Sequence, residues 1–397
     1  VKYLILVVQN AARPSNNIII INLVELILGM KNQRIFMVSK NTFIIILSFF
    51  FLTCENNENE LGSNQAGGID AEIIEGGTIY IVGSDGDGAC YWVNGSRIEL
   101  PGGAWATDIT VVDGTVYTCG TGEASDACYW IDQTRYDLPG AYGEAEAIDV
   151  YDGDVYVAGW FDNGSCYWKN GERIDLTVNR DSQAFAIGVR NNGMVYVGGY
   201  YMNNHHYIIP CFWKDGNNRT NLPVPSGGDG EVYDITFDEA GTMRYYAGFT
   251  MALGGFAGYK PVAARWRHTV RTDLPDGTSD ISLYGTGSYG ITIDGEDIYV
   301  AGYTDWIGDI NDDNTGGTFP RYWKNNNAHD LQGGPNTFFG TGQANDIRVA
   351  DGNVVVVGMA TGGPTGESAC YWLNGELNYL EDVIGGGNSE AKGVFIE

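Results

Sequence analysis

The feature that most constrains this chain is a unit that recurs seven times from about residue 69 onward. In each copy a glycine closes an apolar segment, a tryptophan follows after a variable connection, and a leucine ends the unit. The glycines are Gly83, Gly120, Gly159, Gly199, Gly248, Gly302 and Gly358. The tryptophans are Trp92, Trp130, Trp168, Trp213, Trp266, Trp323 and Trp372, and the leucines are Leu100, Leu138, Leu176, Leu222, Leu274, Leu331 and Leu380. A fixed order at this period indicates a repeat architecture.

Each copy has the pattern of four short strands. Asp-Gly pairs such as Asp152-Gly153 separate the first two apolar segments, and Asn-Gly pairs such as Asn170-Gly171 separate the last two. These dipeptides tolerate positive φ and favour tight hairpins. In the middle segments, for example 155–158, both the odd and the even positions are apolar, as in a sheet that is covered on both faces. Four antiparallel strands per unit predict the blade of a β-propeller.

The two ends of the repeat region predict how the ring closes. Residues 391–396 repeat the first-strand pattern, yet no second strand follows them. The first copy has only a weak first strand near Ile73 and Ile74. We therefore expect an all-β fold over residues 69–397, a seven-bladed β-propeller of four-stranded antiparallel blades closed by the C-terminal strand. Eight blades, one of them degenerate, are the alternative.

Residues 1–54 have a different character. Lys31, Arg34 and Lys40 precede an apolar run from Phe43 to Leu52, which is too short to span a bilayer comfortably. A basic stretch, a short apolar stretch and a processing site are typical of a secretory signal. The segment Phe51-Leu52-Thr53-Cys54 resembles a bacterial lipobox. That resemblance implies lipid attachment at Cys54.

The resulting domain prediction has three parts. Residues 1–54 are a signal or targeting segment, in which 1–29 are an overextended gene start, and 55–68 are a polar tether before the propeller. An N-terminal membrane hairpin is the alternative. The predicted location is outside the cytoplasm, as an outer-membrane or cell-surface lipoprotein of a bacterium, periplasm-facing or extracellular.

The charge of the chain limits its partners. The sequence has 22 Lys and Arg against 50 Asp and Glu, a net charge of −28. A phosphate-binding surface for nucleic acid needs clustered Lys and Arg, so nucleic acid is excluded as a partner class. We expect contact with the membrane only through the lipid anchor, and a monomeric domain.

The order Val155-Tyr156-Val157-Ala158-Gly159, then Cys166-Tyr167-Trp168-Lys169-Asn170-Gly171, then Asp175-Leu176 resembles the HAF-type extracellular repeats of secreted bacterial proteins. The resemblance covers residues 69–397 and implies an exported propeller. It implies no catalytic activity, so no functional residues can be assigned in this chain from the resemblance.

Most cysteines are predicted to be structural. Five of them, Cys90, Cys128, Cys166, Cys211 and Cys370, stand two residues before a repeat tryptophan, which indicates small buried side chains on the same strand face. Cys119 lies near Cys128 in the same blade, and a cross-strand disulfide between the two is an open alternative.

The connections between the second and third strands predict the binding surface. In an up-down blade these connections lie on the same face as the blade-to-blade connections, and in the fourth to sixth blades they are long. Loops on a rigid scaffold concentrate binding residues. The ligand-binding candidates on this rim are Tyr200, Tyr201, His205, His206, Tyr259 and Trp306. The alternative is that these side chains pack over the blade ends.

Metal and catalytic signals are weak. Asp309, Asn311 and Asp313 place oxygen ligands at alternate positions, as calcium loops do, so calcium is the only cofactor considered; a solvated acidic loop is the alternative. Four aspartates are predicted to recur at one first-strand position, where they would bind either a cation in the central channel or neighbouring backbone N–H groups. They are Asp108, Asp149, Asp234 and Asp346.

The function predicted from the sequence is an exported, lipid-anchored propeller that binds a glycan or an envelope protein through its long loops, without chemistry of its own. Two alternatives stay open. One is a scaffold subunit of an envelope protein complex. The other is a carbohydrate-active enzyme with axial carboxylates, which propellers can assemble from distant blades.

Overall fold

A computed structural model gives the structure of the chain over residues 77–397, apart from 141, 163, 178–180, 226–227, 254–258, 277–282, 307–316, 334–340, 364–365 and 382–387. It also gives the backbone of 3–8 and 17–22. Two compact units result, residues 1–63 and 64–397. In the first unit β1 (Tyr3–Val8) pairs antiparallel with β2 (Asn17–Asn22).

The second unit consists of seven four-stranded antiparallel sheets. Blade 1 contains β3 (Ile79–Asp85), β4 (Gly88–Val93) and β5 (Ser96–Glu99). Blade 2 contains β6 (Gly103–Val112), β7 (Thr115–Gly122), β8 (Ala127–Ile131) and β9 (Thr134–Asp137). Blade 3 contains β10 (Gly143–Tyr151), β11 (Asp154–Phe161), β12 (Gly164–Lys169) and β13 (Glu172–Asp175). Blade 4 contains β14 (Ser182–Val189), β15 (Val195–Met202), β16 (Ile208–Lys214) and β17 (Asn218–Asn221).

The remaining blades follow the same order. Blade 5 contains β18 (Gly230–Phe237), β19 (Arg244–Leu253), β20 (Tyr259–Arg267) and β21 (Val270–Asp273). Blade 6 contains β22 (Leu283–Asp294), β23 (Asp297–Trp306), β24 (Gly317–Lys324) and β25 (Asn327–Asp330). Blade 7 contains β26 (Gly342–Ala350), β27 (Asn353–Gly363), β28 (Gly366–Leu373) and β29 (Glu376–Tyr379). The last strand is β30 (Glu390–Ile396).

The blades form a closed ring, so the prediction of a seven-bladed propeller is confirmed. First strands of neighbouring blades contact each other all the way round, including β30 with both β26 and β6. Strand β30 pairs with β3 from Ile79 opposite Ile396 to Ser84 opposite Glu390. The C-terminal strand is therefore the first strand of blade 1, as the sequence predicted. No eighth blade occurs within the described residues.

A β-bulge in every first strand explains the seven repeat glycines. In blade 3 the register shifts between Ala145 and Ala147, so Glu146 has no partner on the second strand. The distortion brings the carbonyl oxygen of Glu144 to 2.0 Å from where a Cβ on Gly159 would lie. The six equivalent glycines face a first-strand carbonyl oxygen at 1.9–2.0 Å in the same way. Any side chain at these positions would collide with backbone.

The repeat tryptophans join each blade to the one before it. All seven are fully buried. The Trp130 indole N–H donates to the carbonyl oxygen of Pro101, the residue that follows the repeat leucine of blade 1, at 3.1 Å. Equivalent bonds run from Trp92, Trp168, Trp266, Trp323 and Trp372 to Glu381, Pro139, Pro223, Pro275 and Gln332. A buried indole usually has such a partner, and in these six blades the neighbouring blade supplies it. Trp213 of blade 4 is the exception, since its buried indole N–H has no hydrogen-bond partner among the described residues.

The hydrophobic core lies between the blades. One cluster, for example, joins Tyr156 and Leu176 of blade 3 to Val197 and Trp213 of blade 4. The five cysteines before the tryptophans are buried, as predicted. Cys119, Cys128, Cys166, Cys211 and Cys370 are free thiols.

The alternative of a Cys119–Cys128 disulfide is wrong, because the strand register separates the two side chains. Cys119 lies opposite Tyr129, and Cys128 lies opposite Gly120. The two cysteines therefore project from opposite faces of blade 2, because successive residues of a strand alternate. They belong to different clusters, one on each side of the blade.

The bulge makes a testable prediction about stability. We expect Gly159→Ala to lower the free energy of unfolding by about 3 kcal/mol or more, or to prevent folding, because the new methyl group overlaps the Glu144 carbonyl. The matched control is Gly164→Ala in the same blade, where the nearest atom to a new Cβ is 3.5 Å away. The control should change stability by less than about 1 kcal/mol. Urea unfolding followed by tryptophan fluorescence measures both, and equal effects would contradict the explanation.

Candidate functional site

A cavity of about 440 Å³ occupies the centre of the ring. First strands of all seven blades line it, and their bulges determine which side chains enter it. Every bulge residue is a lining residue: Thr107, Glu146, Phe185, Tyr233, Tyr289, Asn345 and Lys392. We call this ring of seven residues the channel mouth.

The channel mouth lies toward one face of the propeller. First strands start at the blade-to-blade connections and end at the turns to the second strands, as in Gly143–Tyr151. The face with the blade-to-blade connections also has the connections between second and third strands, and we call it the long-loop face. The opposite face, with the other two kinds of turn, is the turn face. In the four first strands that contain one of the recurring aspartates, the bulge comes before the aspartate. The bulges are therefore nearer the start of the strand, and the mouth is nearer the long-loop face.

Blades 4 to 6 contribute a continuous arc of aromatic rings to the mouth. Phe185 lies 5.1 Å from Tyr233 between ring centroids, and Tyr233 lies 5.1 Å from Tyr289. The arc continues to the second strands through Tyr200, Phe249 and Tyr303, at 5.7–6.0 Å from their neighbours. All six rings are partly exposed, and Phe185, Tyr233 and Tyr289 line the cavity itself. We call them the aromatic arc.

Blades 7, 1 and 3 contribute polar side chains that we call the polar arc: Glu144, Glu146, Gln343, Asn345, Glu390 and Lys392. Gln343 donates to Asn345 Oδ1 at 2.8 Å, and Asn345 Nδ2 donates to Glu390 Oε1 at 2.8 Å. Lys392 Nζ lies 2.7 Å from the same Glu390 oxygen. The network holds amide, carboxylate and ammonium groups in fixed positions around one side of the mouth.

Glu146 is the polar-arc residue whose protonation changes near neutral pH. Burial, followed by the neighbouring Glu144 carboxylate, raises its pKa to about 7. Lys392 and a hydrogen bond from Trp160 act in the opposite direction. A carboxyl group with this pKa can donate a hydrogen bond when protonated and accept one when ionised. On the aromatic side, the hydroxyl group of Tyr233 donates a hydrogen bond to Glu231 Oε2 at 2.7 Å. This bond holds a second carboxyl group next to a bulge residue.

Below the mouth, aspartates form the neck of the channel by joining neighbouring blades. Asp234 Oδ1 accepts the N–H of Ile235 in its own strand at 2.7 Å, and Oδ2 accepts the N–H of Ile291 in the next blade at 2.7 Å. Asp108 and Asp346 make the same pair of bonds. Of the two roles considered for these residues, the structure shows bonding to backbone N–H groups.

The strand register corrects one assignment. Asp108, Asp234 and Asp346 pair with the residue just before a repeat glycine, but Asp149 pairs with Tyr156, three residues before Gly159. Asp149 therefore lies farther from the channel mouth than the other three aspartates. Its oxygens accept the N–H groups of Val150 and Val189. The four aspartates therefore do not share one first-strand position: Asp108, Asp234 and Asp346 directly follow the bulge residue, and Asp149 lies three residues after it.

The neck is a buried acidic cluster with one cation. Burial raises the pKa of Asp108 to about 7, of Asp149 to about 6 and of Asp234 to about 8. Burial also raises the pKa of Asp346, but Arg348 opposes it by donating from Nη1 to Asp346 Oδ1 at 2.8 Å. Within the described part of the chain, no group of three or more His, Cys, Asp or Glu side chains could hold a metal ion.

The rim candidates from the sequence are distributed differently. Tyr200 belongs to the aromatic arc, whereas Tyr201 is buried against Arg219, whose guanidinium carbon lies 3.4 Å from its ring centroid. His205 and His206 are exposed in the turn between β15 and β16, and Tyr259 is exposed at the start of β20.

Several predicted positions lie beyond what the structure describes. Trp306 ends β23, but its side chain is outside the described residues, as are Asp309, Asn311, Asp313 and Cys54. No helix in the described ranges is long and apolar enough to cross a membrane.

Comparison with known proteins finds resemblance only among solved structures. No protein-family profile and no curated protein matches the chain. An ulvan lyase, described as a polysaccharide lyase, is 12% identical with a TM-score of 0.43, covering 73% of this chain and 81% of its own. Apo AztD from Citrobacter koseri is 9% identical with a TM-score of 0.37, covering 81% of this chain and 98% of its own. Likenesses this distant say nothing of activity.

The neck makes a prediction about pH. A carboxyl group whose pKa is higher in the folded than in the unfolded chain keeps its proton longer in the folded state, so stability falls as pH rises between the two values. For Asp149, Asp108, Glu146 and Asp234 this window runs from about 4, the usual carboxyl value, to about 8. We expect the thermal unfolding midpoint to be higher at pH 5 than at pH 8.

The contribution of a single neck residue can be separated from that of the acidic surface. Asp234→Asn should flatten the decline between pH 6 and pH 8, while Asp152→Asn, in an exposed turn, should leave it unchanged. Measurements in moderate salt screen the surface contribution. A midpoint that rises from pH 5 to pH 8 would show that the neck carboxyls are ionised throughout this range.

Proposed function

We propose that the protein binds a glycan in the channel mouth on the long-loop face, as an exported, lipid-anchored binding protein. One observation carries the proposal: a cavity of about 440 Å³ is bordered by the aromatic arc on one side and the polar arc on the other. Ligand sites combine apolar and aromatic surface with a few fixed polar groups in this way. Export and lipid attachment at Cys54 remain predictions from the sequence.

The two arcs match the two kinds of surface on a sugar ring. Aromatic faces carry partial negative charge and attract the C–H groups of an apolar sugar face. The amides of Gln343 and Asn345 and the carboxyl groups of Glu146 and Glu390 suit hydroxyl groups, which both donate and accept. Because these groups are already held by each other, little ordering is needed when a ligand binds.

The charge of the mouth narrows the ligand class. Glu146 is a bulge residue, and Glu144, Glu231 and Glu390 each lie two residues before one, with Lys392 as the one cation among the bulge residues. Uronates and sulfated sugars would be repelled by these carboxylates. The proposed ligand is a neutral or amine-bearing glycan.

A protein partner is the second candidate, favoured by a different observation. Five of the seven large apolar side chains that are exposed in the described residues lie on the long-loop face: Trp105, Tyr142, Tyr207, Leu253 and Tyr259. Their exposed fractions run from 45% to 76%. Exposed apolar surface grouped on one face is typical of an interaction site. This candidate corresponds to the scaffold subunit considered from the sequence.

Substitutions at Tyr233, the centre of the aromatic arc, test the glycan proposal. Titration calorimetry with neutral, amine-bearing and uronate oligosaccharides should identify a ligand from the first two groups. Tyr233→Leu should then weaken binding at least tenfold, about 1.4 kcal/mol, because it removes the stacking ring. Tyr233→Phe is the matched control, which keeps the ring and should bind nearly as well as the unmodified protein.

Two results would contradict the proposal. Unchanged affinity of a folded Tyr233→Leu variant would move the site away from the mouth. Failure of every neutral and amine-bearing glycan, together with stoichiometric co-purification of an envelope protein, would favour the protein partner instead.

A further inference from the structure

Cations of this acidic propeller are generally neutralised by salt bridges. Among the residues that the structure describes, the lysines and arginines in such pairs are Arg97, Arg135, Lys169, Arg173, Lys260, Arg271, Arg321, Lys324, Arg348 and Lys392. Six described propeller cations have no such pair: Arg190, Lys214, Arg219, Arg244, Arg265 and Arg267. Arg219 stacks on Tyr201, and Arg265 donates to Asn326.

Three of the other four, Arg190, Lys214 and Arg244, form a group on the turn face between blades 4 and 5, which we call the cationic cluster. The Lys214 Nζ and the Arg244 guanidinium carbon lie 6.0 and 5.0 Å from the centroid of the same ring, Tyr196. Arg244 Nη1 also donates to the Tyr196 hydroxyl at 3.4 Å. Met194 Sδ lies 4.0 Å from both Arg190 Nη1 and the Tyr196 hydroxyl oxygen, which places Arg190 beside the same ring. The fourth cation, Arg267, lies on the other face of blade 5, over the ring of Tyr245 at 5.8 Å.

Comparison between blades shows why these charges are unpaired. Lys169 ends the third strand of blade 3 and pairs with Asp154 at 2.7 Å, and Lys324 of blade 6 pairs with Asp297 at 2.8 Å. The aspartate lies two residues before the tyrosine that faces the lysine in the strand register. In blades 4 and 5 the same position is occupied by methionine.

The register identifies those methionines as Met194 and Met243. Lys214 faces Tyr196, two residues after Met194, and Arg267 faces Tyr245, two residues after Met243. Met243 Sδ lies 3.1 Å from His268 Nε2, and Met194 Sδ lies 4.0 Å from Arg190 Nη1. Met194 therefore leaves Lys214 without a carboxylate partner beside Arg190 and Arg244, whereas Met243 does the same for Arg267 on the other face of blade 5.

The nearby carboxylates form no salt bridge with the cluster. Asp238 is used within its own turn, since Oδ1 accepts the N–H groups of Thr242 and Met243 and Oδ2 accepts the Thr242 hydroxyl. Asp215 accepts the N–H of Val195 at 3.0 Å. The Nε–H of Arg190 is buried and has no hydrogen-bond partner in the described residues. The three cluster side chains are each partly exposed, so an ion in solution can reach them.

We propose that the cationic cluster is an oxyanion site that takes a phosphate or sulfate group. Like charges held together repel each other, and an anion among them relieves that repulsion. Guanidinium groups match such oxyanions with paired N–H donors, and the Tyr196 ring beneath Arg244 holds its plane in position. The site is on the face opposite the channel mouth, so it does not depend on the proposed glycan site.

Methionine substitutions provide the sharpest test, since they restore the pattern of blades 3 and 6. Inorganic phosphate and sulfate are titrated into the purified full-length chain by calorimetry, in buffers of matched chloride ionic strength. We expect both ions to bind the unmodified protein. Met194→Asp should weaken binding at least tenfold, because the new carboxylate neutralises Lys214. Met194→Leu is the matched control and should bind as the unmodified protein does.

The possible results separate clearly. Affinity that is equal in Met194→Asp and the unmodified protein, or no binding of either ion up to about 10 mM, would overturn the proposal. Should Met194→Asp lose its circular dichroism spectrum, Lys214→Gln replaces it with the same expectation. Titration with a sugar phosphate distinguishes the source: tighter binding than inorganic phosphate indicates a substituent on a glycan, and equal binding indicates the free ion.

Discussion

Contact between blades is fixed by the indole group of the repeat tryptophan. Its ring fills the space between two sheets, and in six of the seven blades its N–H donates to the backbone that leaves the preceding blade, as from Trp130 to Pro101. The apolar contact alone would allow neighbouring sheets to slide, whereas the hydrogen bond sets their distance and angle. Because the acceptor follows the repeat leucine, one unit of sequence specifies both its own sheet and the attachment point of the next.

The same geometry creates the channel. With the blades held at fixed angles, the first strands meet around an axis that side chains do not fill, and each bulge turns one additional residue toward it. These residues have no partner in the sheet, so the sequence can vary them freely without loss of the fold. Aromatic residues occupy this position in blades 4 to 6 and polar ones in the others. The binding chemistry of the protein is thus separated from the packing that holds the ring.

Much of the fold follows from the sequence because glycine, tryptophan and leucine each have one role in every blade. The strand order and closure by β30 were predictable for that reason. The site was predictable only in part. Tyr200 was identified, but Phe185, Tyr233 and Tyr289 were missed, because a bulge shifts the parity of a strand without changing its composition. Aligning each first strand on the residue opposite its repeat glycine would have revealed the variable position.

Blade 1 differs from the others in one respect that concerns the making of the protein. Its inner strand comes from the far end of the chain, and the Tyr80 hydroxyl meets Glu397 across 317 residues. Six blades consist of consecutive strands and can assemble as their residues are synthesised, but the longest loop must close before the first blade is complete. A nascent chain that stalls before residue 390 retains an open edge on β3. Such an edge is accessible to proteases and can pair with strands of other chains. Only a chain that has been synthesised to its last strand covers this edge, so completion of the chain and protection of the ring occur together.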